Sequence, residues 1–285
     1  MDFRVFTSPE KRHNGHTLNL SQIAPNSIVN RTNCWHALLV KRDLNEYLFQ
    51  FNQLPFERTQ EKFRKRKLLE LLSSNKAIRG QLLEVGPGLN PLFPLLKTFK
   101  SRTVLEPISE ICNKLTNSYN QDTKLKIINS SLEKYVAENS NNKFDTVILS
   151  SVLHEIPNPE SNLKLIHNLL EVGGKLFVVV PNNESLHRLV GEKMALINSL
   201  TELTETEKLM QQSCSYSPKR LANQLESHGF KIKEVTTSFI KPLPHAIMQE
   251  AMDNSLFSEK DLEILYKISF LMPDFGSEIF VVAVK

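Results

Sequence analysis

The sequence is poor in cysteine and has no long apolar run. Its three cysteines, Cys34, Cys112 and Cys214, are scattered and odd in number. No Cys-x-x-Cys pair occurs, so neither a disulfide framework nor a zinc site is indicated. A reducing compartment is expected. No segment approaches the ~20 consecutive apolar residues of a membrane span. The stretch 1–30 is polar and lacks the apolar centre of a signal peptide. A cytoplasmic protein without membrane insertion is therefore expected. Charge of one sign is lacking too. The 35 basic and 31 acidic residues leave a net charge of +4 over 285 residues. That excess is too small to imply a nucleic acid partner. Internal repeats and low-complexity tracts are absent. The chain is 40% hydrophobic and 23% charged, which suits one large globular domain with additions.

What is present is a run of alternating elements. Strands are predicted near 81–85, 102–106, 125–128, 144–151, 174–180, 231–240 and 278–284. Helices are predicted near 90–99, 108–118, 131–138, 159–170, 186–200, 218–228 and 245–272. Such alternation with short loops implies a parallel, doubly wound sheet with helices on both faces. Gly173 and Gly174 read as a helix C-cap and turn before the fifth strand. Two helices precede the sheet, from Cys34 to Phe51 and from Thr59 to Leu72. The second carries Lys62, Arg64, Lys65, Arg66 and Lys67, read as a solvated face with Glu61 and Glu70 nearby. Residues 1–55 form an arm and cap helix in this reading. Residues 56–285 form the main unit, with a lid insertion at about 182–215.

The organising stretch is Leu82-Leu83-Glu84-Val85-Gly86-Pro87-Gly88-Leu89-Asn90-Pro91. It reads as strand, glycine turn, helix, with Asn90 as N-cap and Pro91 in the first helical position. Glycines let a ligand approach the main chain closely. A dinucleotide fingerprint needs a third glycine where Pro91 stands, and a Walker loop needs a Gly-Lys-Ser/Thr ending that is absent. The carboxylate of Glu84 also disfavours a polyphosphate and suits an ammonium. A second acid, Glu106, lies twenty residues after Gly86, where a nucleotide-binding unit places its ribose acceptor. Ribose, an amino-acid end and no phosphate together describe S-adenosylmethionine.

Glu84-Val85-Gly86-Pro87-Gly88-Leu89-Asn90 resembles the E/D-x-G-x-G-x-G motif of the class I S-adenosylmethionine-dependent methyltransferases, departing only at Asn90. The resemblance covers roughly the last three-quarters of the chain. It implies a Rossmann-like seven-stranded, mostly parallel sheet with an antiparallel last strand and a helical N-terminal cap. It further implies that Glu84, Gly86, Pro87, Gly88 and Asn90 hold the methionine end of the cofactor. Glu106 and Pro107 would take the ribose, and Ser131 and Leu132 the adenine. Ser131 reads equally as an N-cap for the next helix. Ser150 and Ser151 would adjoin the transferred methyl, and the product would be S-adenosylhomocysteine.

After the fourth strand, Ser151-Val152-Leu153-His154-Glu155-Ile156 lacks the Asp/Asn-Pro-Pro-Tyr/Phe of base N-methyltransferases. It resembles the small-molecule branch of the family, which implies O-methylation of a small-molecule acceptor in secondary or specialised metabolism. His154 is the candidate general base, since imidazole titrates near working pH. His187, Arg188, His245 and Tyr216 are candidate substrate contacts. No acidic set suggests a metal, and Asp145 lies at the wrong end of its strand. Two rivals stand beside this reading: a protein or RNA methyltransferase, and a non-catalytic cofactor-binding regulatory or assembly protein. Assembly as a homodimer is left open.

Overall fold

The computed structural model describes residues 43–77 and 79–285. The predicted arm, Cys34 and the first part of the cap helix lie outside the described residues. Seven strands form one sheet: β1 (Gln81–Val85), β2 (Ser101–Leu105), β3 (Leu125–Ile128), β4 (Phe144–Ser150), β5 (Leu170–Pro181), β6 (Lys231–Ser238) and β7 (Glu278–Val284). Their order is β3-β2-β1-β4-β5-β7-β6. The first five run parallel, and β7 runs antiparallel between β5 and β6. The predicted fold is thus the observed one.

Alternate strand residues feed two cores, because successive side chains leave a strand on opposite faces. Leu83, Val147, Leu149, Val178 and Val281 point to one side. There they meet Leu163 and Ile166 of α5 (Pro159–Leu169) and Leu221 and Leu225 of α8 (Pro218–Ser227). Leu82, Ile148, Phe177, Val179 and Phe280 point the other way, onto Leu68, Leu71 and Leu72 of α2 (Glu57–Ser74). Burial on both faces explains why β4, β5 and β7 are near-continuous apolar runs. A third cluster joins Leu48 of α1 (Leu44–Phe51) to Phe93, Ile108 and Ile111.

Four local predictions need correction. The helix expected at 90–99 is one 3-10 turn, Phe93–Leu95, because Pro94 lacks the backbone donor that a longer helix would bond back to Asn90. Asn90 therefore caps nothing; its amide reaches Glu61 instead. Gly173 and Gly174 do not end a helix but lie inside β5, where the register against β4 shifts between Phe144 and Thr146. The stretch 186–200 is helical only as α6 (Leu186–Lys193). A separate turn, α7 (Glu205–Leu209), starts at a capping box made by Thr204 and Glu207. The 245–272 region is split into α9 (His245–Asp253) and α10 (Glu259–Ile268).

The basic stripe of α2 is a solvated face only in part: Lys62 and Arg66 are exposed. Arg64 and Lys67 are buried, and Lys67 Nζ sits 5.0 Å from the Phe270 ring centre. Arg64 donates to Glu278 at 2.5 Å and to Glu57 at 3.0 Å. Burial works against the Arg64 charge, but the Glu278 and Glu57 carboxylates outweigh it and raise its pKa. Arg64 thus ties α2 to the first residue of β7. Replacing it should leave a buried carboxylate unpaired. We expect Arg64→Ala to lower unfolding free energy by about 3–5 kcal/mol in urea titration, whereas Lys62→Ala at the exposed Glu259 pair should change it by less than about 1 kcal/mol.

Candidate active site

The site is built on the carboxyl ends of β1, β2 and β4. β1 stops at Val85, and the chain turns through Gly86 and Gly88, both left-handed with φ of 62° and 61°. A side chain at Gly86 would press on Val152 at 3.0 Å, whereas the space beside Gly88 is open to 4 Å. The turn therefore presents bare backbone toward the volume above the sheet. Glu106, the first residue after β2, is buried. It accepts from Gly88 N at 3.1 Å and from Ile108 N at 2.8 Å, so its carboxylate spans the two loops. Asn129, after β3, donates to the Glu106 carbonyl at 2.8 Å. The glycine turn, the Glu106 carboxylate and the Asn129 amide are thus brought together.

Glu84 has a different task from the expected one. It is buried, and its two oxygens accept from Leu92 N at 2.9 Å and Phe93 N at 2.8 Å. Burial raises its pKa to about 7, with those two N–H groups and Lys65 acting against the rise. The carboxylate braces the turn from below. Ser131 caps α4 (Leu132–Glu138) by accepting from Lys134 N, and Leu132 is in the core. Ser150 closes β4. Ser151 follows with a φ of 59° and donates its N–H to the Val179 carbonyl at 2.9 Å.

Two cavities flank α1 on this side of the sheet. One, of about 530 Å³, lies between Asp43–Asn45 and the Pro107–Glu110 segment. The other, of about 410 Å³, lies between the Phe51–Glu61 region and Leu89 and Asn90. Asp43 N donates to Gln211 Oε1 at 2.9 Å, and Gln211 Nε2 donates to the Asp43 carbonyl at 2.8 Å. Tyr47 donates to Glu155 at 3.2 Å. The cap helix is thus fastened to both the segment after β5 and the loop after β4. Open backbone at Gly88, a buried acid at the second loop and volume on either side fit a ribose-bearing amino-acid cofactor.

His154 follows β4, is buried, and has Nε2 3.8 Å from Glu155 Oε1. The carbonyl of His154 accepts from Ser213 N at 2.8 Å, which draws the tail of the insertion onto this loop. Farther along the sheet edge a second polar group gathers at the ends of β5 and β6. His187 Nδ1 is 3.0 Å from Ser185 Oγ, and His245 Nε2 is 2.7 Å from Gln60 Oε1. Burial, then the Lys241 charge, lowers the pKa of both imidazoles well below 6.5.

Two of the candidate substrate residues are held by contacts within the scaffold. Arg188 forms a bidentate pair with Glu207 at 2.8 and 2.9 Å and donates to two carbonyls, so it fastens α6 to α7. Tyr216 is buried in a short bridge to Asn182. Lys241, four residues before His245, is not among the residues that sequence reasoning singles out. It is buried, and burial lowers its pKa to about 7 against the pull of Glu57, Glu278 and Glu207. Among the described residues no cluster of His, Cys, Asp or Glu could hold a metal ion. No described helix is long and apolar enough to cross a membrane.

The methyltransferase-domain family matches residues 56–235, well over half of the chain. The chain belongs to that family. Its cofactor is S-adenosylmethionine. A search of curated proteins finds no match. Among solved structures, the plantazolicin methyltransferase BamL, in complex with a desmethyl analogue and S-adenosylhomocysteine, is 18% identical with a TM-score of 0.53; the match covers 85% of this chain and 90% of that one. A putative sarcosine dimethylglycine methyltransferase from Galdieria sulphuraria is 12% identical with a TM-score of 0.55, covering 78% and 84%. An S-adenosylmethionine-dependent methyltransferase from Clostridium acetobutylicum is 11% identical with a TM-score of 0.51, covering 85% and 98%. These methyltransferases share the fold at low identity.

Two outcomes are expected for the enzyme's site. Glu106→Ala removes a charge-assisted acceptor and should weaken S-adenosylhomocysteine binding by at least about tenfold in calorimetry. Lys241 has a folded pKa of about 7 against an ordinary 10.5. Between those values the unfolded chain binds the extra proton, so the stability contribution of Lys241 rises with pH. Lys241→Met should therefore stabilise most near about pH 6, and its advantage should fade toward about pH 10 in melting curves.

Proposed function

We propose that this methyltransferase acts on a small-molecule acceptor and methylates a hydroxyl oxygen. The observation that carries the reading is His154, a buried imidazole one loop past β4 and beside Glu155. That loop packs against the glycine turn, since Val152 lies beneath Gly86. Bound S-adenosylmethionine supplies an electrophilic methyl carbon on a sulfonium. Methyl transfer to a hydroxyl oxygen would exchange that S–C bond for a C–O bond and leave one proton to be removed. His154 takes the hydroxyl proton, and Glu155 stabilises the imidazolium that results. Helix α1 and the 182–215 insertion keep water out, held together by the Asp43–Gln211 and Tyr47–Glu155 contacts.

The acceptor's place in this reading is the polar edge beyond β5 and β6. His187, His245 and Lys241 converge there, two half-buried imidazoles over a buried amine, which suits a compact ligand rather than an extended chain. Lys241 sits among Glu57, Glu207 and Glu278, so this edge is polar without a single sign of charge. The bound analogues and substrates of the solved relatives differ among themselves, and the low identity leaves the acceptor to be found by experiment.

Transfer of labelled methyl into a source-cell extract, separated into small molecules, protein and RNA, tests the acceptor class. Label in the small-molecule fraction is expected; label confined to protein or RNA would overturn it. With that acceptor, His154→Ala should lower kcat by about a hundredfold or more while S-adenosylhomocysteine affinity stays within about threefold. An unchanged kcat would remove His154 as the base.

A further inference from the structure

The acid expected to meet the cofactor's ammonium is turned into the scaffold. Glu84 is 2% exposed and uses one oxygen on Leu92 N and the other on Phe93 N. The amino-acid end of the cofactor, an α-ammonium and an α-carboxylate, still needs partners of both signs.

The cavity of about 410 Å³ beside the glycine turn offers them. One wall is Leu89 and Asn90, immediately after Gly88. The facing wall belongs to α2 and carries Arg58 and Glu61. These two are three residues apart, so they lie on one face of the helix. The Glu61 carboxylate is bonded to the Asn90 amide, which holds it against the turn. It is 9% exposed. The neighbouring acid, Glu57, is committed to Arg64. Arg58 is exposed and makes no hydrogen bond or ion pair among the described residues. One wall thus presents an acid and a base beside bare backbone.

We propose that Glu61 receives the α-ammonium of the cofactor and Arg58 its α-carboxylate, in the cavity beside Asn90. The inference rests on the S-adenosylmethionine site described above. Burial raises the Glu61 pKa, and Arg64 and the Asn90 amide only partly oppose it. An arriving ammonium favours the carboxylate form and so binds best where such a group is held partly desolvated. Arg58 offers a planar guanidinium fork to a carboxylate. The chain therefore divides the cofactor between two elements. The sheet's own loops take the nucleoside, and α2 reads the amino acid.

The test compares two probes by titration calorimetry. S-Adenosylhomocysteine has the amino-acid end; 5′-methylthioadenosine has the same thioether nucleoside without it. The native protein should bind the first more tightly. Glu61→Gln, which keeps an acceptor for Asn90, should weaken S-adenosylhomocysteine by about tenfold or more and leave methylthioadenosine within about twofold. Arg58→Gln, at an exposed position that cannot disturb folding through the core, should weaken S-adenosylhomocysteine by several-fold with the same selectivity. Unchanged affinity for both probes in both variants would overturn the assignment and leave the cavity to the methyl acceptor. Equal weakening of both probes would also overturn it, by making Glu61 a brace for the turn. Failure of the native protein to bind either probe would overturn the cofactor site itself, and the assignment with it.

Discussion

Every parallel sheet ends in a row of loops whose backbone N–H groups need partners away from bulk water. In this protein two buried carboxylates supply them at the place where the chain turns most sharply. Glu84 takes the N–H groups of Leu92 and Phe93, and Glu106 takes those of Gly88 and Ile108. The glycine turn is thereby held from both sides, with its backbone facing the open volume. The 3-10 turn at Phe93–Leu95 begins at the same bonds. The Glu84 carboxylate satisfies donors at the start of that turn, which would otherwise lack partners.

A second constraint closes the molecule over this turn. Helix α2 precedes the sheet in sequence, yet Arg64 reaches Glu278, 214 residues later, at the start of β7. That pair sets the helix across the carboxyl edge. It brings Glu57, Gln60 and Glu61 to the site and leaves Phe63 against Phe239 and Tyr266. Burying such a pair stabilises little in itself, because desolvation offsets most of the attraction. Its effect is on position. The insertion is handled in the same way by Arg188 and Glu207, so that His187 stands at the edge while its neighbour serves as scaffold.

The legible parts of the sequence were the local ones. Glu84 to Asn90, Glu106 and the loop at His154 announce themselves by residue type at the end of an apolar run, and the structure places all of them on one edge. The hydrophobic rhythm from β1 to β7 was readable for the same reason, since burial on both faces demands near-continuous apolar strands. What was illegible depended on partners far away in the chain. A row of basic residues on α2 looks like a wet surface until Glu278 and Phe270 are placed against it. Arg188 looks like a ligand contact until Glu207 folds back to meet it. Asn90 looks like a cap until Glu61 takes its amide.

The sequence by itself determined the class of fold, the order of its elements and the edge where the cofactor lies. Those follow from periodicity and from backbone conformations that only certain residues adopt. Only the tertiary structure decided which charged groups are spent on the scaffold and which remain for a ligand. A carboxylate or guanidinium has the same chemistry in either role. Its role is set by what desolvates it and what donates to it, and for Glu84, Arg64, Arg188 and Lys241 those neighbours come from other elements of the fold.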